Sequence, residues 1–243
     1  MKIYKKIDKI RSKIDKYRPF EGHLLEQARA YYRVRLTYTS NAIEGNSLTE
    51  SETKTLLEYG LTVGGKPLRD TFETLGHAKA YDFAFSLLKN SGVTENDILT
   101  MHRMFYGGID EKNAGVYRAV PIIVTGSKYG ASKPHKIKGD MDELFRWVNI
   151  AKSSLHPVEL AAGAHKRFAF IHPFIDGNGR IARLIMNVIL IQNGYIPAVI
   201  PPVLRQEYIS LLEKAHTDDI PFTEFIAERV YESEKEMERL FGA

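Results

Sequence analysis

The 243-residue chain contains no cysteine. Disulfide bonds, thiolate zinc sites and cysteine nucleophiles are therefore excluded, because each of them needs a cysteine sulfur. Whatever chemistry the protein performs must come from histidine, carboxylate, hydroxyl or basic side chains. The chain is long enough to bury a sizeable core, and its 44% hydrophobic and 26% charged content is typical of a globular domain.

A long apolar run is also missing. A membrane helix needs about 20 consecutive apolar residues, and the most hydrophobic region, residues 181–204, is interrupted by arginine, asparagine, glycine and proline. Residues 1–18 alternate isoleucines with lysines and have no uninterrupted apolar stretch, which argues against a secretory signal peptide. The sequence therefore predicts a cytoplasmic protein that does not engage a membrane.

Charge of one sign does not dominate either. The 34 basic and 30 acidic residues leave a net charge of +4, and the basic residues are spread widely, so nucleic acid is not the expected partner. Near the N-terminus, isoleucines at positions 3, 7, 10 and 14 follow helical spacing on a lysine-rich segment. This stripe predicts a helix that buries against the body of the protein or pairs with a second copy in a homodimer.

Helical periodicity dominates the rest of the chain. Residues 116–125 differ, because β-branched and apolar residues cluster there before a glycine-rich stretch, which predicts a small β-hairpin. The fold class is therefore all-α with a small β-hairpin flap. Helices are predicted over 24–38, 40–44, 50–59, 71–88, 95–105, 140–150, 157–171, 180–192, 204–216 and 221–240, with a loop at 60–68.

One segment between two predicted helices concentrates residues suited to chemistry. It runs from His172 to Arg183 and reads HPFIDGNGRIAR. Pro173 disfavours helical backbone at the residue before it, so the first helix should end at His172. Gly177 and Gly179 allow the backbone to approach a ligand closely and leave N–H groups free at the start of the second helix. Such a helix start binds anions.

Charged side chains surround that helix start. Arg180 and Arg183 fall three apart in the first turn, where positive charge is unfavourable against the helix dipole, so their presence indicates an anion between them. A polyphosphate meets that requirement. Asp176 complements it as a ligand of Mg²⁺, which typically takes one or two carboxylates beside phosphate oxygens. His172 has the ordinary pKa that suits a general base near neutrality.

The run from His172 to Arg183 resembles the signature HxFx(D/E)GNGRxxR of Fic domain proteins, with every defined position present. The resemblance extends over most of the chain, through GLTVGGK at 60–66, residues 117–127 and the His-Pro pair at 156–157. It implies the helical Fic (Fido) fold with its hairpin flap. It also implies a protein adenylyltransferase that uses ATP and Mg²⁺ and moves AMP onto a serine, threonine or tyrosine hydroxyl of a protein substrate.

The resemblance further implies roles for individual residues. His172 would deprotonate the target hydroxyl, and Asp176 would hold Mg²⁺. Arg180 and Arg183 would bind the outer phosphates of ATP. The amides and side chain of Gly177, Asn178 and Gly179 would form the anion hole for the α-phosphate. The flap that docks the target segment would include Val124, Thr125, Gly126 and Ser127. The adenine pocket would include Tyr208 and His216.

A second motif lies upstream. SNAIEG at 40–45 resembles the (S/T)xxxE(G/N) motif of the family's inhibitory helix, in the class that carries this helix on the N-terminal side. Ser40 and Glu44 fall at i and i+4, so they share one helix face. Glu44 is then expected to pair with Arg183 and remove it from the γ-phosphate. The predicted domains are N-terminal helices with the inhibitory helix, 1–60, and a Fic core, 61–243, with a flap at about 117–136 and an active-site loop at 172–183.

Other interpretations stay open. His156, His165 and His172 with Asp176 are potential zinc ligands, although their spacings match no compact ligand pair. Within the family, the alternatives are transfer of another phosphate-linked group and removal of AMP from a modified protein, in which Glu44 would orient the attacking water. A catalytically silent nucleotide-binding interaction protein is the alternative outside enzymes. The sequence does not name the target protein.

Overall fold

The computed structural model describes residues 1–62, 64–90 and 92–240. Val63 and Ser91, together with residues 241–243 of the predicted core, lie outside the described residues; Val63 belongs to the predicted loop 60–68. The described residues form ten α-helices joined by loops and single 3₁₀ turns. Their bounds are α1 Lys2–Ile14, α2 Gly22–Ile43, α3 Glu50–Tyr59, α4 Leu68–Ser86, α5 Glu95–Tyr106, α6 Ile137–Ala151, α7 Pro157–Ile171, α8 Asn178–Gln192, α9 Arg205–Lys214 and α10 Ile220–Leu240.

Helix α8 lies at the centre of the fold. Every residue from Arg180 to Leu190 is buried, as expected for a helix that is apolar on nearly all sides. It packs against α7, α4, α5 and α2. Neither α8 nor any other described helix is long and apolar enough to cross a lipid bilayer. The packing on all sides fixes the position of the first turn of α8, where the predicted anion site begins.

Local sequence signals set several helix ends. Thr49 caps α3 and Thr94 caps α5, each through a capping box that Glu52 or Asp97 completes. The predicted bounds of α3 and α7 agree with the structure residue for residue, and the other predicted helices, apart from α2, differ by a few residues at their ends. The turn residues in the sequence therefore locate most of the helices.

The N-terminal isoleucine stripe is buried within the same chain. Ile7 and Ile14 are fully buried, and α1 packs along α10. Lys5, Lys6 and Lys9 are exposed on the other side of α1. The stripe was predicted either to bury against the body of the protein or to pair with a second copy, and in the structure it is buried against the body. Homodimerisation stays a prediction, and it would need a different surface.

The sequence predicted two helices, 24–38 and 40–44, where the structure has one. Helix α2 runs from Gly22 to Ile43, and Glu44 is its C-cap residue. Thr39, between the two predicted helices, is buried, and its Oγ1 donates to Arg35 O at 2.9 Å within the helix. Burial against the core therefore overrides the weak helix propensity of threonine and serine. The predicted inhibitory helix is the last turn of α2.

The predicted β-hairpin is not formed in the described residues, which contain no strand. Residues 121–124 have no regular secondary structure, and Ile123 is 94% exposed. Ser127 N donates to Val124 O at 3.1 Å, which closes a turn where the hairpin turn was expected. High strand propensity does not form a ladder without a partner segment at hydrogen-bonding distance. Residues 117–136 are called the flap below, and they form an irregular loop that ends in a 3₁₀ turn at Pro134–Lys136.

A buried carboxyl group makes the fold sensitive to pH. Glu234 of α10 is fully buried. Its Oε1 accepts from Ile196 N at 3.0 Å, whereas its Oε2 has no hydrogen-bond partner among the described residues. Burial raises the pKa of Glu234 to about 7, from 4.5 for an ordinary glutamate. The native protein therefore holds this proton more tightly than the unfolded chain does.

We predict that the free energy of unfolding falls as the pH rises from about 4.5 to about 7, because the unfolded chain releases the proton first. Glu234→Gln keeps an acceptor for Ile196 N and removes the titration. The variant should therefore be more stable than the wild type at pH 8, by up to about 3 kcal/mol, and similar to it at pH 4.5. Urea unfolding at both pH values measures this difference. The exposed Glu228→Gln on the same helix is the control, and a pH-independent difference for Glu234→Gln would contradict the prediction.

Candidate active site

His172 ends α7 in a rare backbone conformation. Its φ and ψ are 52° and 60°, and it is the only non-glycine residue with positive φ among the described residues. Its N–H still donates to Phe168 O at 3.0 Å, so α7 stops at the predicted residue, before Pro173. A non-glycine residue in this region costs about 1–3 kcal/mol and persists where the surroundings enforce it, often at functional sites.

The imidazole of His172 has the protonation state that a base requires. Nδ1 lies 3.2 Å from Ala169 O, and a carbonyl oxygen only accepts, so the proton of the neutral ring is on Nδ1. Nε2 then carries the lone pair. Burial lowers the pKa of His172 below its usual 6.5. The ring is therefore neutral at physiological pH and ready to accept a proton at Nε2.

Asn178 fixes the loop between α7 and α8. Its Oδ1 accepts from Phe174 N and its Nδ2 donates to Phe174 O, both at 2.9 Å, and both residues are buried. The side-chain amide is thus engaged as a clamp within the loop. The family resemblance implies that this side chain contributes to the anion hole, whereas in the structure both of its polar atoms are engaged within the loop. A contribution of the Asn178 backbone N–H stays a prediction.

Two glycines permit close approaches at the start of α8. Gly177 has a φ of 80°, and a Cβ atom there would lie 2.6 Å from the ring of Phe105. A Cβ atom on Gly179 would lie 2.4 Å from Glu44 Oε1. The first intrahelical bond of α8 runs from Ile181 N to Gly177 O at 3.0 Å. The N–H groups of the turn before it point out of the helix end, where anions bind.

The carboxylate of Glu44 lies at that helix end and pairs with Arg183. Glu44 Oε1 is 2.8 Å from Arg183 Nη2. Ser40, one turn earlier in α2, accepts from Arg183 Nε through Oγ at 3.0 Å and from Nη2 through its carbonyl at 2.8 Å. Burial alone would raise the pKa of Glu44, but Arg183 and Arg180 outweigh it and hold that pKa below its usual value. The expected contact between the two motifs, 139 positions apart, is present in ionised form.

Asp176 lies in a second group of charges. Its Oδ2 accepts from Arg69 Nη2 at 2.6 Å. Its Oδ1 accepts from Gly177 N at 2.6 Å and from Arg180 Nη2 at 3.2 Å. Glu73 closes a ring of charges, since its Oε1 lies 3.1 Å from both Arg69 Nε and Arg180 Nη1. The anion expected beside Arg180 is thus provided by two carboxylates of the protein itself.

Asp176 suits a metal that arrives with a polyphosphate. In the described part of the chain, no three His, Cys, Asp or Glu side chains converge on one point. The zinc interpretation has no support in this geometry, because His156 Nε2 contacts Asp8 Oδ1 at 3.3 Å and His165 Nε2 contacts Tyr208 Oη at 2.8 Å. Mg²⁺ needs only one carboxylate when phosphate oxygens and water complete its shell.

A cavity of about 380 Å³ opens between the end of α2, the start of α8, the flap and α9. His172 and the Glu44–Arg183 pair are among its lining residues. The predicted site residues in its lining are Glu44, Val124, Thr125, Gly126, Ser127, His172, Gly179, Arg183, Tyr208 and His216. The predicted residues that its lining does not include are Ser40, Asp176, Gly177, Asn178 and Arg180.

The two residues expected at the adenine pocket differ in their surroundings. His216 is stacked between Phe170 and Tyr129, with ring centroids 3.6 and 3.9 Å away. Tyr208 is buried, and burial lowers the pKa of His165 beside it to about 3. The Tyr208 hydroxyl lies 2.8 Å from Nε2 of the neutral His165 ring and accepts from Arg183 Nη1 at 3.4 Å. The hydroxyl of Tyr208 therefore contacts the arginine, and the residue also lines the cavity.

Arg118 joins the flap to His172. Its Nε donates to His172 O at 2.8 Å and its Nη1 to Val120 O at 2.9 Å, while Nη2 donates to Ser132 O on the other arm of the flap. The arginine is 3% exposed. One buried cation therefore holds three backbone carbonyls, and it sets the position of both flap arms relative to the catalytic loop.

Glu213 of α9 holds the turn of the flap. Its Oε2 accepts from Ser127 Oγ at 2.8 Å, and its Oε1 accepts from Lys128 N at 2.6 Å. These hydrogen bonds keep the turn at the mouth of the cavity. The flap is thus fixed at its base by Arg118 and at its tip by Glu213, in place of a strand ladder.

Comparisons with known proteins decide the family. The profile of the Fic/DOC family matches residues 92–190. The solved structure of a Fic domain-containing signalling protein from Bacteroides thetaiotaomicron is 30% identical and superposes with a TM-score of 0.86 over 95% of each chain. The chain belongs to the Fic family. Fic-1 from C. elegans also superposes with a TM-score of 0.86, at 29% identity over 99% of this chain and 72% of that one.

Curated relatives of this Fic protein include the protein adenylyltransferase Fic of Drosophila melanogaster. The two are 39% identical over 194 residues, which is 79% of this chain. The relative from Drosophila persimilis is 40% identical over the same length. The chain spans less than two fifths of the length of these Drosophila proteins.

The Fic signature did not identify the charged residues that surround the loop. Arg69 and Glu73 of α4, Arg118 of the flap and Glu213 of α9 come from three separate parts of the chain, and folding brings them to the site. Each has the appearance of an ordinary surface charge in the sequence, because no motif or spacing sets it apart. Their contacts with the site depend on the tertiary structure.

We predict that Arg118→Gln lowers the melting temperature substantially, because three carbonyls lose a buried cationic donor. A loss of about 2–4 kcal/mol corresponds to roughly 5–15 °C for a chain of this length. Differential scanning calorimetry measures the change. Lys128→Gln, at an exposed flap position, is the matched control, and an equally small shift in both variants would show that Arg118 does not hold the flap.

Proposed function

We propose that this Fic protein transfers AMP from ATP to a serine, threonine or tyrosine hydroxyl of a protein. The observation that carries the proposal is the shared cavity of His172, Arg183 and the first turn of α8. It brings together a base with its lone pair on Nε2, a cation for phosphates and a set of free backbone N–H groups. The Drosophila relatives are named protein adenylyltransferase, which supports the same chemistry.

His172 acts on the target hydroxyl. Its Nε2 takes the proton as the hydroxyl oxygen attacks the α-phosphorus of ATP, in line with the leaving group. The bond between that phosphorus and the bridging oxygen breaks, and pyrophosphate leaves with the electron pair. The N–H groups at the start of α8 stabilise the charge on the α-phosphate, and Arg183 stabilises the outer phosphates.

Asp176 is the residue that would hold Mg²⁺. The metal, when bound, neutralises charge on the phosphates and orients them. Gly177 N fixes Oδ1 of Asp176 at the helix end, so the carboxylate is positioned beside the N–H groups that face the phosphates. This arrangement supports a metal that binds together with the nucleotide.

The cavity also suits the adenine ring. The cavity lining includes the stacked side chains of Phe170, His216 and Tyr129 and the apolar side chains of Ile209 and Leu212, and we place the base against them. A flat base stacks favourably on aromatic side chains, with about 1–3 kcal/mol per contact. The nucleotide would thus lie with its base under the flap and its phosphates at the start of α8.

The flap is the surface on which we place the target segment. Ile123 is 94% and Val120 51% exposed, in a stretch without regular secondary structure. An extended peptide that pairs with such a stretch would gain backbone hydrogen bonds and an apolar contact. Lys128, Lys133 and Lys136 are exposed on the same flap, which favours a target segment with acidic side chains.

Glu44 is the proposed brake. Its carboxylate lies 2.8 Å from Arg183 Nη2 and against Gly179, at the helix end where a phosphate would bind. The pairing removes Arg183 from the γ-phosphate and leaves the donor misaligned for in-line attack. The wild-type protein is then a slow enzyme until Glu44 moves away.

The position of Glu44 also favours a second activity, removal of AMP from a modified protein. A carboxylate beside the α-phosphate site can orient a water molecule for attack on phosphorus. The two activities make opposite demands on Glu44, since transfer needs it displaced and removal needs it in place. Loss of AMP from a labelled target, compared between wild type and Glu44→Gly, separates them.

We predict that His172→Ala abolishes transfer and leaves ATP binding nearly unchanged, because the base acts on the target hydroxyl and not on the nucleotide. The loss should be on the order of 10²-fold or more. Self-modification with labelled ATP in the Glu44→Gly background measures transfer, and fluorescence of an ATP analogue measures binding.

His23→Ala is the control, because His23 is exposed on α2 and lies outside the site. A His172→Ala protein that binds the analogue and transfers AMP as fast as the control would disprove the mechanism. A parent protein that binds ATP but transfers nothing would instead support the silent interaction protein.

We predict that Glu44→Gly raises self-AMPylation by well over roughly tenfold, because a charge-assisted arginine contact to phosphate becomes available. Glu44→Gln should act in the same direction, since it removes the charge and keeps the shape. Intact-mass measurement after incubation with ATP follows the reaction.

Glu26→Gln, an exposed position on the same helix, is the control and should match the wild type. Arg183→Ala should not regain activity when Glu44→Gly is added, because the phosphate contact is missing in both backgrounds. Equal self-modification by wild type and Glu44→Gly would show that the Glu44–Arg183 pair does not restrain the enzyme.

A further inference from the structure

We propose that Arg69 competes with Mg²⁺ for Asp176 and so sets the Mg²⁺ concentration at which the nucleotide is held. The inference rests on the proposed function, because it concerns the metal that accompanies ATP. Arg69 belongs to α4, 107 positions before Asp176, and it lies outside both sequence motifs.

The two oxygens of Asp176 have different partners. Oδ1 accepts from Gly177 N at 2.6 Å and from Arg180 Nη2 at 3.2 Å, which ties it to the start of α8. Oδ2 accepts from Arg69 Nη2 at 2.6 Å. A cation that binds Asp176 through its second oxygen therefore meets the Arg69 guanidinium at the same atom and competes with it.

The Arg69 side chain can move away from Asp176 without leaving a buried charge unpaired. Its side chain is 55% exposed, so water can solvate the released guanidinium. Its other partner, Glu73, keeps Arg180 Nη1 at 3.1 Å and Asn46 Nδ2 at 3.2 Å. The carboxylate of Glu73 therefore stays paired after Arg69 moves.

Arg180 cannot leave in the same way. Its side chain is 4% exposed, and its guanidinium lies 4.5 Å from the ring centroid of Phe105. Moving it would expose Glu73, which is buried, and would open the packing between α4, α5 and α8. Of the two arginines on Asp176, only Arg69 is free to exchange with a metal.

The competition should be modest in size. An ion pair with an exposed partner changes an equilibrium by up to about fivefold, and salt screens it. Arg69 therefore shifts the metal concentration that half-saturates the site without closing the site. The Mg²⁺ concentration that half-saturates the site therefore depends on Arg69, a residue outside the Fic signature.

The test measures the affinity of mant-ATP for the full chain carrying Glu44→Gly, which is the parent protein, by fluorescence. The measurement is repeated at increasing Mg²⁺ concentrations, from none in the presence of EDTA to saturation. The readout is the Mg²⁺ concentration at the midpoint of the gain in affinity, which needs no turnover. Adding Arg69→Gln should lower that midpoint by up to about fivefold, and high salt should reduce the difference. A merely structural role would change affinity equally at all Mg²⁺ concentrations, including EDTA.

Lys79→Gln removes one exposed charge from the same helix and should leave the midpoint unchanged. Asp176→Asn should remove the dependence on Mg²⁺. An Arg69→Gln midpoint equal to or above that of Lys79→Gln overturns the inference. If Arg69→Gln does not fold, Arg69→Lys, which cannot bridge Glu73 and Asp176 at once, should lower the midpoint in the same direction, and no shift overturns the inference.

The same titration separates this inference from the proposed function. A parent protein that binds no mant-ATP at any Mg²⁺ concentration overturns the proposed function and the inference together. Binding in the parent that depends on Mg²⁺, with an unmoved Arg69→Gln midpoint, overturns the inference alone.

Discussion

The constraint on which the site depends is a buried guanidinium at the start of a helix. Arg183 is 5% exposed and is the sixth residue of α8, in the turn that follows the positive end of the helix dipole. A charge in that position is unfavourable unless an anion is close to it. The chain provides Glu44, with two further acceptors from Ser40. Any phosphate that binds there has to replace a partner already present.

The burial of α8 also fixes the loop between α7 and α8. Because α8 is packed on nearly all sides, its first turn cannot shift to relieve the charge, and the loop before it is clamped by Asn178. His172 is then held in a left-handed conformation with its carbonyl bound by Arg118. The rigidity that positions the base thus comes from core packing, hydrogen bonds within the loop and one buried cation.

Both proposed controls on the site follow one physical rule. Anionic side chains occupy arginines that the substrate would use, and an arginine occupies a carboxylate that the metal would use. Glu44 is paired with Arg183, and Asp176 is paired with Arg69. In each pair at least one side chain is partly exposed to solvent. Exposed partners can be solvated when they separate, so such contacts can be exchanged for ligand contacts at small cost. The buried pair of Arg180 and Glu73 provides the fixed part of the ring.

The sequence alone determined the helices, the catalytic loop and the meeting of its two motifs. Helical periodicity and turn residues act locally, so the bounds of α3 and α7 could be predicted to the residue. The end of α7 at His172 follows from Pro173, and the glycines before and at the start of α8 predict a helix end that a ligand can approach. Membership of the Fic family could be inferred because these residues are contiguous in the chain.

Only the tertiary structure decided what lies around that loop. It joined the two predicted segments of α2, replaced the expected hairpin by a loop that Arg118 and Glu213 hold, and turned the Asn178 side chain inward. It also placed Arg69 on Asp176 and the hydroxyl of Tyr208 on Arg183. Each of these outcomes is a contact between side chains or segments distant in sequence. Local propensity carries no information about such contacts, because they arise when the helices pack and buried polar groups take the partners within reach.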